Sequence, residues 1–292
     1  MVIQTKIHET VLLNEVVQVL VAYLKYQGRF IDATLGTGGH TLELLKHGSV
    51  LGIDQDPEMI EIARKRVTES NEFKFVCGNF KDLRKIALNS NFDQVDGVVF
   101  DLGVSNLHFA SLTRGFSFVN KKAALDMRIS NRGLTAADLL NSLRRDHLVD
   151  LFQQVMGKKQ AVIVVEKVLA KRKIDPIRTV GDFLETCGVL QAKKNLNPAT
   201  LAFLALRIAV NSEIDNLRES LPQALSLLKK GGRLGVISFH SLEDRIVKSF
   251  FREMEATHLA KVLYKKVLTA SAEETYENPK ARSAHLRFLE KI

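Results

Sequence analysis

The sequence predicts an α/β fold in which a doubly wound, mostly parallel sheet is interrupted by an inserted helical domain. Three observations favour this fold class. Apolar strands alternate with helices over the first third of the chain, the alternation stops in a basic and strand-poor middle third, and strand patterns return near the end. Apolar strands separated by helices are typical of parallel sheets with right-handed crossovers. A chain of 292 residues is long enough for one large domain that carries an insertion.

Each of the first four predicted strands is a short apolar run. These strands are residues 29–35, 50–54, 73–77 and 95–101. A helix is expected to begin at Thr41, and a second helix to cover residues 57–70. Pro57 suits the first turn of that second helix, because its missing N–H would have no partner there.

The inserted domain is predicted over residues 109–194. Two amphipathic helices, at residues 136–152 and 160–173, are its main predicted elements. An insertion after the fourth strand is expected to lie over the carboxyl ends of the strands, where ligands bind in open α/β sheets.

The sheet domain is predicted to consist of residues 1–108 and 195–292. Asn197 and Pro198 are expected to begin a helix that runs to about residue 217. The later predicted elements are a helix to residue 228, a Gly231-Gly232 turn, a strand at 233–239, and an antiparallel hairpin of residues 261–268 and 284–290.

Composition favours a cytoplasmic protein with a polyanionic partner. Cys77 and Cys187 are far apart and form no Cys-x-x-Cys pair, so reduced, buried thiols are expected. The sequence has no signal-peptide pattern and no apolar run of membrane-spanning length. The net charge is +9, and residues 110–200 hold 16 Lys or Arg against 8 Asp or Glu. This excess favours nucleic acid as the partner, although a well-solvated helical surface also explains it.

A glycine-rich turn after the first predicted strand is the most informative functional feature. Residues 32–40 run Asp-Ala-Thr-Leu-Gly-Thr-Gly-Gly-His, and Asp54 closes the next strand. Such a turn lets a ligand approach bare backbone beside a helix start, and an acid at this distance suits a ribose diol. The pattern predicts a site for a nucleoside-type cofactor, with a plain tight turn as the alternative.

The spacing of the glycines distinguishes between two cofactors. Gly36 and Gly38 match the first two glycines of a dinucleotide fingerprint, but Thr41 occupies the third position. Counted from the acid, the pattern is Asp32-x-Thr34-x-Gly36-x-Gly38, similar to the turn of S-adenosylmethionine-dependent methyltransferases with Thr34 at the first glycine. S-adenosylmethionine has no phosphate, so the turn only has to let the methionine part lie over it.

Asp101 closes the fourth predicted strand and is the candidate catalytic residue. Amino-methyltransferases that act on bases have an acid or amide at this position, because acceptors beside an exocyclic amine favour the shape in which its nitrogen attacks. Capping of the following turn is the alternative role. Phe80, after the third strand, lies where an aromatic ring can stack on adenine, with an ordinary core position as the alternative.

Other polar residues near the predicted strand ends are weaker candidates. Residues 114–118 and 125–128 place arginines beside aromatic residues or Met, which suits a flipped-out or single-stranded base, with packing at the domain junction as the alternative. His240 follows the last parallel strand and has either a substrate contact or a structural hydrogen bond as its role. The histidines have no metal-ligand spacing, so no metal is predicted.

Nine motifs along the chain occur in the order of one known family. They are residues 8–15, 32–40, 53–57, 101–105, 114–118, 125–128, 197–200, 237–248 and 278–283. The longest contains Ser238-Phe-His-Ser-Leu-Glu-Asp-Arg245. Over nearly its whole length the chain resembles the bacterial 16S ribosomal RNA cytosine-N4 methyltransferases, the RsmH or MraW family.

The resemblance implies N4-methylation of one cytidine near the decoding centre of 16S rRNA in the small ribosomal subunit. It also implies a class I methyltransferase-like sheet, a cytoplasmic location and a helical insert that helps to recognise RNA. The cofactor contacts that it implies are Gly38, Gly39, His40, Asp54, Phe80, Asp101 and His108. The family usually has Gln where this chain has His108, and the oligomeric state stays open between monomer and homodimer.

The sequence leaves three other functions as alternatives. The first is an amino-methyltransferase that acts on DNA or protein, and the second is a non-catalytic RNA-binding factor that keeps the fold. The third is an NAD-dependent oxidoreductase, which Thr41 at the third glycine position disfavours.

Overall fold

The computed structural model describes residues 10–67, 70, 72–188 and 199–292. Within these ranges the chain forms two compact units. The first unit comprises the described residues up to Gly103 together with Ile214–Ile292, and the second comprises Val104–Glu213. The second unit starts close to the predicted start of the insert at residue 109 but includes a helix beyond its predicted end. The predicted boundary at residue 194, the first two residues of the motif at 8–15, and the predicted helix start at Asn197 and Pro198 lie outside the described residues.

The strands of the first unit form one seven-stranded sheet. They are β1 (Gly28–Asp32), β2 (Gly48–Asp54), β3 (Phe73–Cys77), β4 (Val95–Asp101), β5 (Leu228–Ser238), β6 (Ala260–Val262) and β7 (His285–Lys291). Their order is β3-β2-β1-β4-β5-β7-β6. Strands β1 to β5 pair in parallel, whereas β7 is antiparallel to both β5 and β6. The predicted mostly parallel sheet and its terminal antiparallel pair are confirmed, and the insertion of β7 beside β5 is the part that periodicity did not reveal.

The described residues also form helices in both units. They are α1 (Leu13–Val21), α2 (Gly39–Leu44), α3 (Pro57–Arg66), α4 (Leu83–Asn89), α5 (Asn106–Ala110), α6 (Ala136–Ser142), α7 (Arg145–Gln153), α8 (Lys158–Ile174), α9 (Val180–Cys187), α10 (Thr200–Asn211), α11 (Glu213–Leu227), α12 (Ser241–Ala256) and α13 (Ala272–Glu277). Short 3-10 turns cover Phe80–Asp82 and Pro279–Ser283. None of the helices in these ranges has the length and apolar character needed to cross a membrane.

Helices cover both faces of the sheet in the first unit. On one face, called here the α1–α3 face, residues of α1, α2 and α3 pack with Phe30, Val99 and Ile237 of the strands. On the opposite face, α4, α11 and α12 pack with Ile31, Phe100 and other strand residues. Because neighbours along a strand point to opposite faces, these two clusters fix the direction of the strand-end residues. Asp101, two residues after Val99, belongs to the α1–α3 face.

The second unit is helical and has its own apolar core. Buried residues of its helices and loops, among them Leu140, Phe152, Val165, Phe183 and Leu206, form one cluster. The second unit therefore has a core of its own, as expected of a compact unit that can fold around its own apolar residues.

Two predicted helices are divided in the structure. The helix predicted over residues 136–152 is interrupted where Leu143 and Arg144 adopt extended backbone, so α6 and α7 are separate. The helix predicted to run to residue 217 is interrupted at Ser212, whose left-handed φ of 49° ends α10 before α11 begins. Apolar periodicity continues across both breaks, which is why the sequence pattern did not reveal them.

Candidate functional site

The predicted site residues of the first unit follow the carboxyl ends of adjacent strands. Strand β1 lies between β2 and β4, so the connections from β1 and from β4 run to opposite sides. This point of reversal opens a crevice at the carboxyl edge of an α/β sheet, and such crevices bind ligands. Asp32, Asp54 and Asp101 are the last residues of β1, β2 and β4, so all three carboxylates are at this edge.

The glycine turn after β1 exposes backbone where a side chain would intervene. Gly36 and Gly38 have φ values of 51° and 83°, in the left-handed region that favours glycine. A Cβ atom on Gly36 would meet only the Thr34 carbonyl oxygen, at 3.8 Å, so the space above it is open. A Cβ atom on Gly39 would instead lie 1.7 Å from Thr10 Oγ1, so Gly39 allows the preceding chain to approach closely.

Asp54 holds the glycine turn in place. Its Oδ2 accepts a hydrogen bond from Gly36 N at 2.8 Å, and its Oδ1 accepts one from Asp56 N at 2.9 Å. From the opposite side, Arg66 Nη1 donates to the Thr37 carbonyl oxygen at 2.7 Å. Asp54 therefore orders the turn as well as closing β2, a role that its spacing alone did not indicate.

Asp32 is a buried acid at the centre of the site. It is 1% exposed, and its carboxylate accepts hydrogen bonds from Thr41 Oγ1 at 2.8 Å and from Thr34 N at 3.3 Å. Burial raises the pKa of Asp32, and the charge of nearby Asp101 acts in the same direction, whereas nearby His40 and the two hydrogen bonds oppose the shift. The sequence pattern indicates Asp32 only as part of the turn, whereas in the structure Asp32 also links the turn to α2 and lies close to His40 and Asp101.

Three buried polar atoms have no hydrogen-bond partner among the described residues. One is His240 Nε2 after β5, which lies 3.2 Å from Glu243 Oε1, and the other two are His40 Nε2 and Asp101 Oδ1. Buried polar atoms in native proteins are nearly always paired, so such atoms at a strand edge indicate groups that act on a ligand. Both His40 and Asp101 were predicted as cofactor contacts, and Asp101 also as the catalytic residue.

Thr34 fixes the backbone of Asp101. Its hydroxyl oxygen accepts a hydrogen bond from Asp101 N at 2.6 Å, joining the turn after β1 to the end of β4. A glycine at this position would provide no such acceptor. The departure from the usual glycine pattern therefore has a structural consequence in this chain.

Replacing Thr34 by Val should lower catalysis more than cofactor affinity. Valine keeps the shape but leaves Asp101 N unpaired at the end of β4, so we expect kcat to fall by about 10-fold, the scale of one lost hydrogen bond. Thr34→Ser keeps the acceptor and should restore most of the loss. Steady-state kinetics of both variants test this, and equal losses in kcat for Val and Ser would contradict it.

The remaining predicted residues have packing or capping roles in the structure. Phe80 packs edge-to-face on Phe100, with ring centroids 5.6 Å apart. His108, described within the second unit, accepts a hydrogen bond from Ser105 N on its Nδ1 at 3.0 Å and so completes the cap of α5. His240 caps α12 by accepting a hydrogen bond from Glu243 N at 3.3 Å, which is the structural alternative considered for it.

Comparison with known proteins identifies the family of the chain. The model of the MraW methylase family matches residues 5–292. A relative from Coprothermobacter proteolyticus named ribosomal RNA small subunit methyltransferase H is 39% identical, and the match covers 97% of this chain and 96% of that protein. Relatives of the same name from Dictyoglomus thermophilum and Halothermothrix orenii are 38% and 36% identical, with 97% and 98% of their lengths covered. The chain therefore belongs to the MraW methylase family and is an S-adenosylmethionine-dependent methyltransferase.

Proposed function

We propose that this protein methylates N4 of one cytidine in the decoding region of 16S rRNA in the small ribosomal subunit. Its relatives are named ribosomal RNA small subunit methyltransferase H, and the matches extend over nearly the whole chain. The observation that carries the choice of an amino group is Asp101 Oδ1, a buried acceptor at the end of β4 that pairs with none of the described residues. A ribosomal substrate also implies that the protein acts in the cytoplasm.

The residues at the carboxyl edge fit S-adenosylmethionine. The open backbone at Gly36 and the left-handed Gly38 leave room for the methionine part, and buried His40 Nε2 is available to bond it. A carboxylate oxygen accepts up to two hydrogen bonds, so Asp54 can bind the ribose hydroxyls while it holds Gly36. We further propose Gly38, Gly39, Phe80, Asp101 and His108 as cofactor contacts, with Phe80 against adenine.

Asp101 orients the amine of the substrate. The lone pair of the exocyclic amine of cytosine is delocalised into the ring, so the nitrogen is a weak nucleophile. S-adenosylmethionine, when bound, supplies an activated methyl group. Asp101 Oδ1 accepts a hydrogen bond from the amine, favours the pyramidal nitrogen and aligns it for in-line attack. The same carboxylate can take up a proton as the new bond forms.

The second unit carries the proposed RNA-recognition role of the insert. Several of its basic side chains are engaged by acids, as in the Arg128–Asp126 and Arg145–Glu166 pairs. Six exposed lysines of this unit make no ion pair within the described part of the chain: Lys121, Lys122, Lys158, Lys159, Lys167 and Lys173. Lysines without an ion pair contribute most to the binding of RNA phosphates, because the contact releases counterions and breaks no salt bridge.

Transfer of a labelled methyl group from S-adenosylmethionine tests the function. We expect label in small ribosomal subunits or 16S rRNA, recovered as N4-methylcytidine by nucleoside mass spectrometry, and none in duplex DNA. Label in DNA or protein would contradict the proposed acceptor. RNA binding without any transfer would instead support a non-catalytic factor.

A further inference from the structure

Two of the nine motifs that resemble the family contact each other in the first unit, through residues that are not among the proposed cofactor contacts. One is Ser238-Phe-His-Ser-Leu-Glu-Asp-Arg245, which joins β5 to α12, and the other is Asn278-Pro-Lys-Ala-Arg-Ser283, which contains a 3-10 turn. Lys280 Nζ of the second motif lies 4.5 Å from the centroid of the Phe239 ring of the first. At this distance the ammonium and the ring form a cation–π pair.

Most polar side chains of the first motif have a role in holding the fold. Ser238 Oγ donates to the His285 carbonyl oxygen at 3.3 Å. Glu243 is buried and its Oε2 accepts hydrogen bonds from Phe239 N and from His240 N, at 2.9 and 3.3 Å. Asp244 accepts two hydrogen bonds from Arg287, at 2.7 and 3.0 Å. These contacts explain the cap of α12 and its attachment to β7, but they do not explain an aromatic ring at Phe239.

Phe239 is only partly buried, unlike three other phenylalanines of the same core. Phe30, Phe73 and Phe288 are at most 1% exposed, whereas Phe239 packs at the margin of the core of the α1–α3 face. An aromatic ring that keeps part of its surface accessible at the carboxyl edge of a strand is available to stack on a ligand.

The ring lies beside the Asp101 strand end and on the same face of the sheet. Strands β4 and β5 pair in parallel with Asp101 opposite Ile237, so Phe239 follows two residues beyond that pair. Val99, Ile237 and Phe239 all belong to the core of the α1–α3 face, and alternation puts Asp101 there too. A Cβ atom on Gly103 would lie 3.7 Å from Phe239 Cδ2, which puts the ring against the turn that follows Asp101.

We propose that Phe239 and Lys280 bind the nucleotide that is methylated, with Phe239 stacked on the cytosine and Lys280 paired with its phosphate. A nucleotide offers an edge, a face and a charge. Asp101 accepts a hydrogen bond from the edge, Phe239 stacks on the face, and Lys280 neutralises the charge. This inference rests on the proposed function, because it names the residues that hold the same substrate.

Phe239→Leu tests the stacking contact. Leucine keeps an apolar side chain but removes the aromatic face, and one base–aromatic stack corresponds to about a 5- to 150-fold loss in kcat/KM for RNA. Phe239→Tyr keeps the face and should stay within about threefold of the unsubstituted protein. The affinity for S-adenosylhomocysteine, measured by calorimetry, should be unchanged in both, because the ring contacts RNA and not the cofactor.

Lys280→Gln tests the phosphate contact, with Arg282→Gln as its matched control. Arg282 is an exposed cation in the same 3-10 turn, so both changes remove one charge from the same segment. We expect only Lys280→Gln to raise KM for RNA and to reduce the slope of log kcat/KM against log salt by about 0.7, the value for one phosphate on a single strand.

The outcomes separate this inference from the proposed function. If the unsubstituted protein does not methylate cytidine, the proposed function fails. If it does, and Phe239→Leu keeps its kcat/KM for RNA, only the inference is overturned. The inference is also overturned if Phe239→Leu loses cofactor binding as much as transfer, or if the two glutamine variants behave alike, since a purely structural role would produce those results.

Discussion

Replacing Asp101 by Ala should abolish most methyl transfer while leaving the fold intact. The substitution removes the acceptor that orients the substrate amine, and loss of one such preorganised contact costs about 10²- to 10³-fold in rate. Because Asp101 also belongs to the proposed cofactor contacts, we expect the affinity for S-adenosylhomocysteine to fall by about 10-fold. The affinity for RNA should be largely kept. Single-turnover transfer, calorimetry and RNA binding measure the three effects separately.

Asp93→Ala provides the matched control for this experiment. Asp93 is exposed and precedes β4, so the change removes an acid of the same type near the same strand. It should leave the rate of transfer unchanged. Asp101→Asn keeps one oxygen acceptor and should retain more activity than Asp101→Ala. Transfer by Asp101→Ala at the rate of the Asp93 control would show that Asp101 is not catalytic.

The strands that carry the site were predictable because local chemistry determines them. The predicted bounds of β3 and β4 match the structure, and both are short apolar runs with polar residues beyond them. The predicted first strand, at 29–35, extends too far, because Ala33 and Leu35 are apolar and buried but belong to the turn after β1. Apolar pattern records burial, and buried turn residues give the same signal as a strand.

The identity of the site residues was clearer in the sequence than their partners were. A glycine-rich turn and acids at strand ends can be recognised by spacing, since the turn needs positive φ at Gly36 and Gly38. The bond from Asp101 N to Thr34, and the use of Asp54 to hold Gly36, depend on tertiary contacts between separate segments. No periodicity contains that information. His108 is a similar case. Its hydrogen bond with Ser105 N is local, but a histidine at this position does not by itself predict whether the side chain also contacts a ligand.

Asp96 lies at the other end of β4, and its carboxylate, unlike Asp101 Oδ1, has hydrogen-bond partners among the described residues. Its carboxylate is buried and accepts hydrogen bonds from Tyr26 Oη at 2.7 Å, Arg29 N at 2.8 Å and Lys229 Nζ at 2.9 Å. The hydrogen bond to Asp96 is the main cause that raises the pKa of Tyr26. Strand β4 thus carries two acids with different surroundings. Asp96 has hydrogen-bond partners from the fold, whereas Asp101 Oδ1 has no partner in the described ranges.

Asp96→Ala should therefore lower stability where Asp101→Ala does not. It removes the acceptor from the partly exposed Lys229 ammonium and from Arg29 N, and leaving such donors unpaired costs about 1–3 kcal/mol in the free energy of unfolding. Glu61→Ala, which breaks the exposed Glu61–Arg64 pair, should cost at most about 1 kcal/mol. Urea unfolding measures both. Below the unfolding transition, Asp96→Ala should keep its cofactor affinity, because the site lies at the opposite edge of the sheet. A loss of cofactor affinity without a loss of stability would contradict this division between the two ends of β4.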